Sequence, residues 1–543
     1  MQTITTSPPV KYLLGFIVLS FLISSCHRFI RVSNTIEQID SVIAISDNSS
    51  EPDLLKEKSA MINPEDRDYV FIHTDPTTIY VDTIGGGDGR TENDPVKLEH
   101  ALLSENVIAG DTILLLDGIY KGNYTSTVTG SVGNQIVIKP RNAYQAVIDG
   151  GLQIGDLSNI RGAYTIVRNL RIYYSDTIRG KWTDPQGSNQ RPAGILNAAP
   201  YCKFINNIIH DGGVGIGSWQ KSDYSEIYGN IIFNSGAPDN LLGFAQNIYF
   251  QGTGKIIRHN VFAGGFKRTF AGFGTRAYIK NCSVLANVIF ARESVLIGSV
   301  HNMGDGIKFN DNHISGEGNT MQIGYNYKYN GSCEIKSNRM YGKSYSSVQW
   351  WNDVEMSDNV IVQGEKVQNK GFQFVDDRSP TEFNWNLHDN KYHYLGPAPL
   401  QAFIIDGVAW FSWEKWKGLG YDTVGSTFST SKPTQNEYFV YPNEYPDPDD
   451  PRLGIVVIWN WKGLEPLKVD LSDLGLEVGS TYQWRQAQDP LVDIDTWVCD
   501  SDVYAFQMTG HSVAKPIGFD EELVPSQFPT FGCFIIENYE LLP

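Results

Sequence analysis

The sequence is poor in cysteine, and its few cysteines do not suggest a disulfide framework. Only 6 of the 543 residues are Cys, far fewer than in small domains that depend on disulfides for stability. Cys202, Cys282 and Cys333 each stand five residues before a repeated Asn, at strand positions whose neighbours point inward. We expect these three to be buried free thiols, whereas Cys499 and Cys533 could pair in an exported protein.

Positive charge is also scarce. The chain has 43 Lys and Arg against 61 Asp and Glu, which gives a formal net charge of -18. Nucleic-acid binding needs a basic surface that releases counterions from phosphates, so this balance argues against nucleic acid as a partner. The hydrophobic content of 41% excludes disorder over most of the chain, and we expect a monomer.

The apolar run near the amino terminus, residues 12–23, is too short to span a bilayer. It follows a short basic stretch and leads into Ser24, Ser25 and Cys26. Small residues before a Cys in this position resemble the lipobox of bacterial lipoproteins. The resemblance implies a signal peptide over residues 1–25, a lipid on Cys26 and a polar tether over residues 26–65. An ordinary secretion signal or a signal anchor is the alternative.

Either alternative predicts export. For a lipoprotein we expect anchoring in the bacterial outer membrane, and the sequence leaves open whether the protein faces the periplasm or the cell surface.

The sequence does contain an internal repeat: an apolar residue, two residues, an Asn, one residue and an apolar residue. The first copy is loose, and the later copies follow at intervals of 21 to 31 residues. This period, with short apolar alternation and Gly-rich breaks, is typical of the coils of a parallel β-helix. Leucine-rich repeats would need a Leu-rich consensus and a helical return segment, which are missing. The repeated residues are Asn169, Asn207, Asn230, Asn260, Asn287, Asn312, Asn338, Asn359 and Asn390.

An Asn at the same turn of every coil can hydrogen-bond to the turns above and below, about 4.8 Å away. This ladder resembles the one in pectate-lyase-like β-helix proteins. The resemblance implies an all-β chain with a right-handed parallel β-helix over residues 66–430, three strands per coil, capped by a helix over residues 94–103. It also implies a small antiparallel β-sandwich over residues 431–543.

We expect the carboxy-terminal domain to dock on the β-helix or to stabilise it. A second substrate-binding module is the alternative, in which Trp459, Trp461 and Trp484 would face solvent rather than the core.

In proteins of this fold family, the strand after the Gly-rich break lines the substrate groove, which predicts a polysaccharide partner. Aromatic rings stack on sugar rings and amides share hydrogen bonds with sugar hydroxyls. The alternative is that such residues only tolerate an exposed sheet. Alternation along these strands predicts the following outward residues: Trp219, Asn247, Tyr249, Gln251, Gln322, Gln349, Trp351 and Gln373.

Residues 252–292 reverse the overall charge, because they contain seven cations and no Asp or Glu. Stacked coils could bring several of these cations to one face, which favours an anionic polysaccharide, either uronate-rich or sulfated. A solvated face with long side chains over apolar surface is the alternative. The cations are Lys255, Arg258, Lys267, Arg268, Arg276, Lys280 and Arg292.

If the substrate is a uronate, β-elimination needs cations that neutralise the carboxylate and a base that removes the adjacent proton. An isolated His in a turn more often satisfies local hydrogen bonds than acts as a base. The candidates are Arg268, Arg276 and Arg292 as carboxylate binders, Lys267 as base, Tyr249 as acid, and His210 and His301 as rival bases.

Two features of related β-helix proteins are missing. Where these proteins often carry Gly-His-Gly-Ile-Tyr, residues 245–249 read AQNIY, which excludes a mechanism that depends on that His. No clustered calcium site is indicated either, so we assign no metal and no cofactor. The nearby acidic residues are scattered: Asp211, Asp223, Glu226 and Asp239.

Two further functions stay open. An inverting glycoside hydrolase needs two carboxyls about 6.5 to 9.5 Å apart, and the candidates are Glu293 with Asp305, or Asp376 and Asp377 with a neighbour. A non-catalytic glycan-binding or surface-structural lipoprotein would have an aromatic groove without a base close to it.

Overall fold

The computed structural model describes residues 75–542, except for residues 104, 106, 157–160, 180–190, 239–244, 275, 294, 319, 326–328, 344, 364–370, 377, 379–381, 398 and 406–408. The predicted signal peptide, tether and Cys26 lie outside the described residues, as do Asp239 and Asp377. In the described part of the chain, no helix combines the length and apolar character needed to cross a membrane.

Residues 78–429 form the predicted right-handed parallel β-helix, in which successive coils add strands to three sheets. Alternate residues of each strand enter one continuous core, as Ile257, Phe262 and Phe270 do within a single coil. The strands of the first sheet are Thr78–Asp82, Val96–Lys97, Thr112–Leu115, Ile136–Pro140, Thr165–Arg168, Lys203–Ile205, Glu226–Tyr228, Ile256–Arg258, Ser283–Leu285, Ile307–Asn310, Asn330–Lys336, Trp351–Ser357 and Asn384–His388.

The second and third sheets share their first two strands, Gly118–Ser126 and Ala146–Ile154, because both are long enough to run through the two sheets. The second sheet continues with Arg171–Tyr173, Ile208–His210, Ile231–Ser235, Val261–Gly265, Val288–Ala291, His313–Gly316, Arg339–Gly342, Val360–Gln363, Lys391–Tyr394 and Thr427–Ser429. The third continues with Ile195–Asn197, Ile216–Ser218, Ile248–Phe250, Phe270–Gly274, Val295–Ser299, Met321–Ile323, Ser346–Gln349, Phe372–Val375, Phe403–Ile405 and antiparallel Ala409–Phe411.

A short additional parallel sheet lies between the third and first sheets along the chain. Its strands are Gly252–Thr253, Ile279–Lys280 and Gly304–Asp305.

The Asn ladder runs between the first and second sheets from Asn207 to Asn390. The Oδ1 atom of each Asn accepts hydrogen bonds from the Asn one coil earlier; Asn230 Oδ1, for example, lies 3.0 Å from the backbone nitrogen of Asn207 and 2.9 Å from its Nδ2. The prediction that Asn169 begins the ladder is wrong. Asn169 stands one residue too early, at a positive φ of 59°, and Leu170 donates its N–H to Asn207 instead.

The ladder ends on the buried carboxylate of Asp422. Its oxygens accept hydrogen bonds from Asn390 Nδ2 at 3.1 Å, Tyr392 Oη at 3.0 Å and Trp416 Nε1 at 3.0 Å. Trp416 belongs to the helix Trp413–Gly418, whose two Trp side chains cover the carboxy-terminal end of the core.

The amino-terminal cap is shorter than predicted. Its helix covers only Leu98–Ala101, because residues 96–97 pair with the first strand of the first sheet. Leu98, Ala101 and Leu102 are buried against the first coil, so the segment still closes the core.

All five described cysteines are buried free thiols. Burial raises the pKa of Cys202 to about 12, as expected for a small apolar side chain. Cys499 and Cys533 do not pair.

The carboxy-terminal domain is antiparallel. A five-stranded sheet has the order Glu437–Pro442, Arg452–Trp459, Phe531–Asn538, Thr481–Gln486 and Ile494–Val498. One of its faces packs on the two-stranded sheet Leu467–Asp470 and Val503–Phe506. Among the described residues there are also 3-10 turns at Ser472–Leu474 and Tyr539–Leu541 of this domain and at Pro399–Gln401 of the β-helix.

The other face of the five-stranded sheet packs on the outer surface of the second sheet. Phe290 of the β-helix contacts Phe531 of the terminal domain, with ring centroids 5.1 Å apart. Trp459 is fully buried and donates from Nε1 to His313 Nδ1 at 3.1 Å. Trp484 is also buried, and Trp461 packs edge-on against Tyr341. These contacts fit a docking role for the domain.

Candidate functional site

The outer face of the third sheet carries the predicted row of amides and aromatic residues, which we call the amide face. Parallel pairing places Tyr249, Gln322 and Gln373 in one column of outward positions. Gln251 and Gln349 lie two residues further along their strands and therefore point the same way. The three glutamines Gln322, Gln349 and Gln373 are partly exposed. The amide face thus displays neutral hydrogen-bonding groups over several coils.

An aromatic cluster lies at the amino-terminal part of the amide face. The rings of Trp219 and Tyr249 are 5.4 Å apart at an interplanar angle of 57°. Gln251 Nε2 donates to the Tyr249 hydroxyl at 3.0 Å and to the Phe273 carbonyl at 3.1 Å. Gln251 therefore fixes the Tyr249 phenol relative to the strand of the next coil.

A buried lysine supports this cluster from below. The Lys255 ammonium donates to the carbonyl of Trp219 at 3.2 Å and to the hydroxyl of Ser222 at 2.7 Å, and it also contacts the Ser222 carbonyl. Burial lowers the pKa of Lys255 to about 8 because the interior disfavours the charged form. Lys255 thus holds the turn that presents Trp219, and it has no access to a ligand.

The seven cations of residues 252–292 do not form one patch. Lys255 is buried, Arg258 pairs with Glu226 on the first sheet at 2.9 Å, and Lys280 belongs to the short additional sheet. Arg258 and Lys280 belong to strands of other sheets, and Lys255 stands between the strands Gly252–Thr253 and Ile256–Arg258.

Four cations do flank the amide face. Lys267 and Arg268 precede the strand Phe270–Gly274, and Arg276 follows it and is exposed. Arg292 lies one coil further, where its guanidinium donates to the carbonyl of Phe266 at 3.1 Å. Lys267, Arg268 and Arg292 therefore share one edge of the sheet, and Arg276 lies at the opposite edge.

The two histidine candidates lie in different environments. His210 is on the outer face of the second sheet, stacked between Tyr173 and Phe233 at 5.1 and 4.8 Å. Its Nδ1 is 2.7 Å from the carboxylate of Asp211, and burial lowers its pKa. The expectation that His210 reaches the groove is wrong, because it belongs to the strand before the break. His301 is exposed two residues after the strand Val295–Ser299.

Two residues predicted on the amide face are buried elsewhere. Trp351 is fully buried in the core, where its Nε1 donates to the Ile323 carbonyl at 3.1 Å. Trp350 has a positive φ of 62°, so the chain turns there and Trp351 begins a strand of the first sheet. Asn247 precedes its strand and is fully buried, and its Oδ1 accepts from the Ser235 backbone at 3.3 Å.

An aromatic contact on the amide face that was not predicted from the sequence joins Phe273 and Tyr325, with ring centroids 5.1 Å apart. Phe273 could have been found, because it alternates with Ala271 in the strand Phe270–Gly274. Tyr325 lies in a turn after its strand, where alternation gives no direction.

Of the carboxylates proposed for hydrolysis, Glu293 and Asp305 lie on opposite sides of the strand Val295–Ser299, and Asp377 lies outside the described residues. Glu293 lies 4.0 Å from Arg268. Asp305 belongs to the short additional sheet, where its carboxylate accepts hydrogen bonds from Ser332. Asp376 is buried, and both of its oxygens bind the guanidinium of Arg378. In the described ranges, no cluster of three His, Cys, Asp or Glu side chains could hold a metal ion.

Comparisons with known proteins find matches among solved structures. No protein-family model matches the chain, and no curated protein matches it. A pectate lyase, Pel9A, is similar over 60% of this chain and 72% of its own, with 15% identity and a TM-score of 0.32. A mannuronic acid specific polysaccharide family 6 lyase from the human gut microbiota is similar over 66% and 92%, with 13% identity and a TM-score of 0.30.

The structure of XylC with xylose is similar over 84% of this chain and over 100% of the XylC chain, with 10% identity and a TM-score of 0.39.

Proposed function

We propose that this protein binds an extended anionic polysaccharide along the amide face and cleaves it by β-elimination. One observation carries the proposal: the Trp219 and Tyr249 pair lies on a row of outward amides, with cations at both ends of a single strand of that face. This combination suits a ligand with many hydroxyls, apolar ring faces and negative charges.

The proposed chemistry assigns a role to each side chain. Arg276 neutralises the carboxylate of the reacting uronate, which makes the adjacent C–H acidic. His301, which lies at the same edge as Arg276 one coil further because Gly274 pairs with Ser299, removes that proton while the bond to the leaving oxygen breaks and a carbon–carbon double bond forms. Tyr249, held by Gln251, protonates the leaving oxygen. Lys267, Arg268 and Arg292, at the opposite edge of the sheet, bind carboxylates of neighbouring sugars.

The first test is to incubate the purified protein with a polyuronate, a sulfated glycan and a neutral glucan. Ultraviolet absorbance from unsaturated ends, together with new reducing ends, is the expected result for a charged polymer. New reducing ends without absorbance would show that the protein cleaves by hydrolysis and not by elimination. Binding without cleavage would leave a glycan-binding protein.

A conservative variant tests the role of Tyr249. Tyr249→Phe keeps the ring against Trp219 but removes the proton donor, so the elimination rate should fall by about a hundredfold or more while binding persists. Tyr278→Phe, in the turn beyond the same sheet, is the matched control and should retain the rate. Equal rates for Tyr249→Phe and the unchanged protein would remove Tyr249 from the mechanism.

We also propose that the chain is exported and attached to the outer membrane by lipid on Cys26. The support is the sequence around Cys26 alone. Mass spectrometry of the membrane-bound protein should find an acylated amino-terminal Cys, and Cys26→Ala should abolish the acylation. A membrane-bound protein with an unmodified Cys26 would contradict the anchor.

A further inference from the structure

Three tyrosines form an exposed stack at the turn between the third and first sheets. Tyr164, Tyr201 and Tyr224 occupy the same turn of consecutive coils. Their ring centroids are 4.8 and 5.3 Å apart, and neighbouring rings are within 7° of parallel. Tyr201 is 42% exposed and Tyr224 is 54% exposed. We call this stack the tyrosine ladder.

The backbone of the ladder is strained at every step. Tyr164, Tyr201 and Tyr224 have positive φ angles of 56°, 59° and 56°, a conformation that bulky side chains rarely adopt because the Cβ atom crowds the following carbonyl. Residues held in such conformations cluster at binding and catalytic sites. Because the turn itself imposes this φ in every coil, the feature that needs a reason is the choice of Tyr in three successive coils.

Folding of the turn does not require the rings. The same turn continues in the following coils with Gly254, Asn281 and Gly306, as the repeated backbone hydrogen bonds show. Gly and Asn tolerate positive φ far better than Tyr does. Gly254 also leaves room for the ladder, since a Cβ atom there would lie 2.4 Å from Tyr224 Cδ1.

The ladder is joined rigidly to the amide face. Ser222 donates from its backbone to the Trp219 carbonyl at 3.0 Å, and Lys255 fixes both residues from below. The Asp223 carboxylate accepts from the Thr253 backbone at 2.7 Å. The turn from Trp219 to Tyr224 is thus held at both ends, which fixes the position of the ladder relative to the aromatic cluster.

We propose that the tyrosine ladder is a second polysaccharide-binding site, which holds the part of a long chain that extends beyond the amide face. This inference rests on the proposed function. Because the rings cover one another's faces, they present edges and phenol hydroxyls, spaced by one coil, to the hydroxyls of successive sugars. The ladder carries no charge, so its contribution is insensitive to salt.

Glycine variants test this proposal because they remove the rings and relieve the backbone. For the full chain carrying Tyr201→Gly and Tyr224→Gly, the Kd for a long polyuronate should rise about tenfold, and the loss should grow with chain length. The melting temperature should stay within about 2 °C. Asn281→Gly, at the same turn and also with positive φ, is the control and should change neither value.

Each other outcome overturns the inference. If the double variant binds the long polymer as the unchanged protein does, the ladder is not a binding site and the proposed function stands. If its melting temperature falls by more than about 5 °C, the ladder is structural. If the unchanged protein binds none of the polyuronate, sulfated glycan and neutral glucan probes, the proposed function fails together with the inference.

Discussion

The second and third sheets are built from the same coils, yet the outer face of the second sheet is buried and that of the third sheet is partly exposed. Outward residues of the second sheet include Val261, Val288 and Phe290, and the carboxy-terminal domain buries them. Outward residues at comparable positions of the third sheet include Gln322 and Gln373, which stay partly exposed. In both sheets, outward residues alternate along each strand with inward residues of the core.

The covered face and the available face therefore differ in the character of their outward residues. An apolar outer face must be covered, because a large exposed apolar surface is unfavourable in water. A face of amides is stable when exposed, because water satisfies its hydrogen bonds, and a polar ligand can replace that water with hydrogen bonds of its own. The amide face is therefore the better candidate for a binding surface.

The largest contrast should come from matched Phe substitutions. Phe290→Ala on the covered face should lower the free energy of unfolding by about 3–5 kcal/mol, because it leaves a cavity beside Phe531. Phe273→Ala on the amide face should lower it by less than about 1 kcal/mol. Urea unfolding of both variants measures the difference, and equal losses would contradict the distinction between the faces.

Acid should weaken the docked domain more than the amide face. Burial lowers the pKa of His259 to about 4, where it packs against Tyr228 and Tyr441. The folded state holds neutral His259, so the unfolded chain binds the proton first as the pH falls below about 6.5. Stability that is fully present above that pH should be lost towards pH 4, by about 3 kcal/mol for this residue.

Unfolding free energies between pH 7.5 and 4.5 check this expectation. His259→Gln should flatten the pH dependence, and the exposed His301→Gln should not. An unchanged slope in His259→Gln would show that another group carries the acid sensitivity.

Among the flanking cations, Arg276 should matter most for a charged polymer. Arg276→Gln should lower kcat/KM on a polyuronate by about tenfold or more, because a charge-assisted contact is lost. Lys280→Gln, an exposed cation on the neighbouring strand of another sheet, is the control for non-specific charge. Equal losses of kcat/KM in both variants would show that Arg276 acts only through long-range electrostatic attraction.

The smallest effect should come from single amides. Gln373→Ala should weaken polysaccharide binding about fivefold and change the free energy of unfolding by less than about 0.5 kcal/mol. Calorimetric titration and urea unfolding together separate the two. A loss of stability with unchanged binding would assign Gln373 to the sheet rather than to the ligand.

Much of the fold could be predicted from the sequence because its signals are local and periodic. The Asn repeat and the alternation of apolar residues specify coils and inward positions, and they identified most of the amide face, including Tyr249, Gln251 and Gln349. Errors arose where the chain turns through a positive φ, as at Asn169 and Trp350. Alternation does not show such turns, so Trp351 was placed on the wrong sheet.

The sequence by itself determined the coil, its ladder and the direction of most strand residues, because each depends on neighbours within one period. Only the tertiary structure decided which outer face the carboxy-terminal domain covers. It also decided that Lys255 is buried beneath Trp219, and that Lys267 and Arg276 lie at opposite edges of one sheet. Each of these contacts joins residues of different coils or domains. Their geometry depends on how the coils stack and how the domain docks, and a local sequence pattern does not show either.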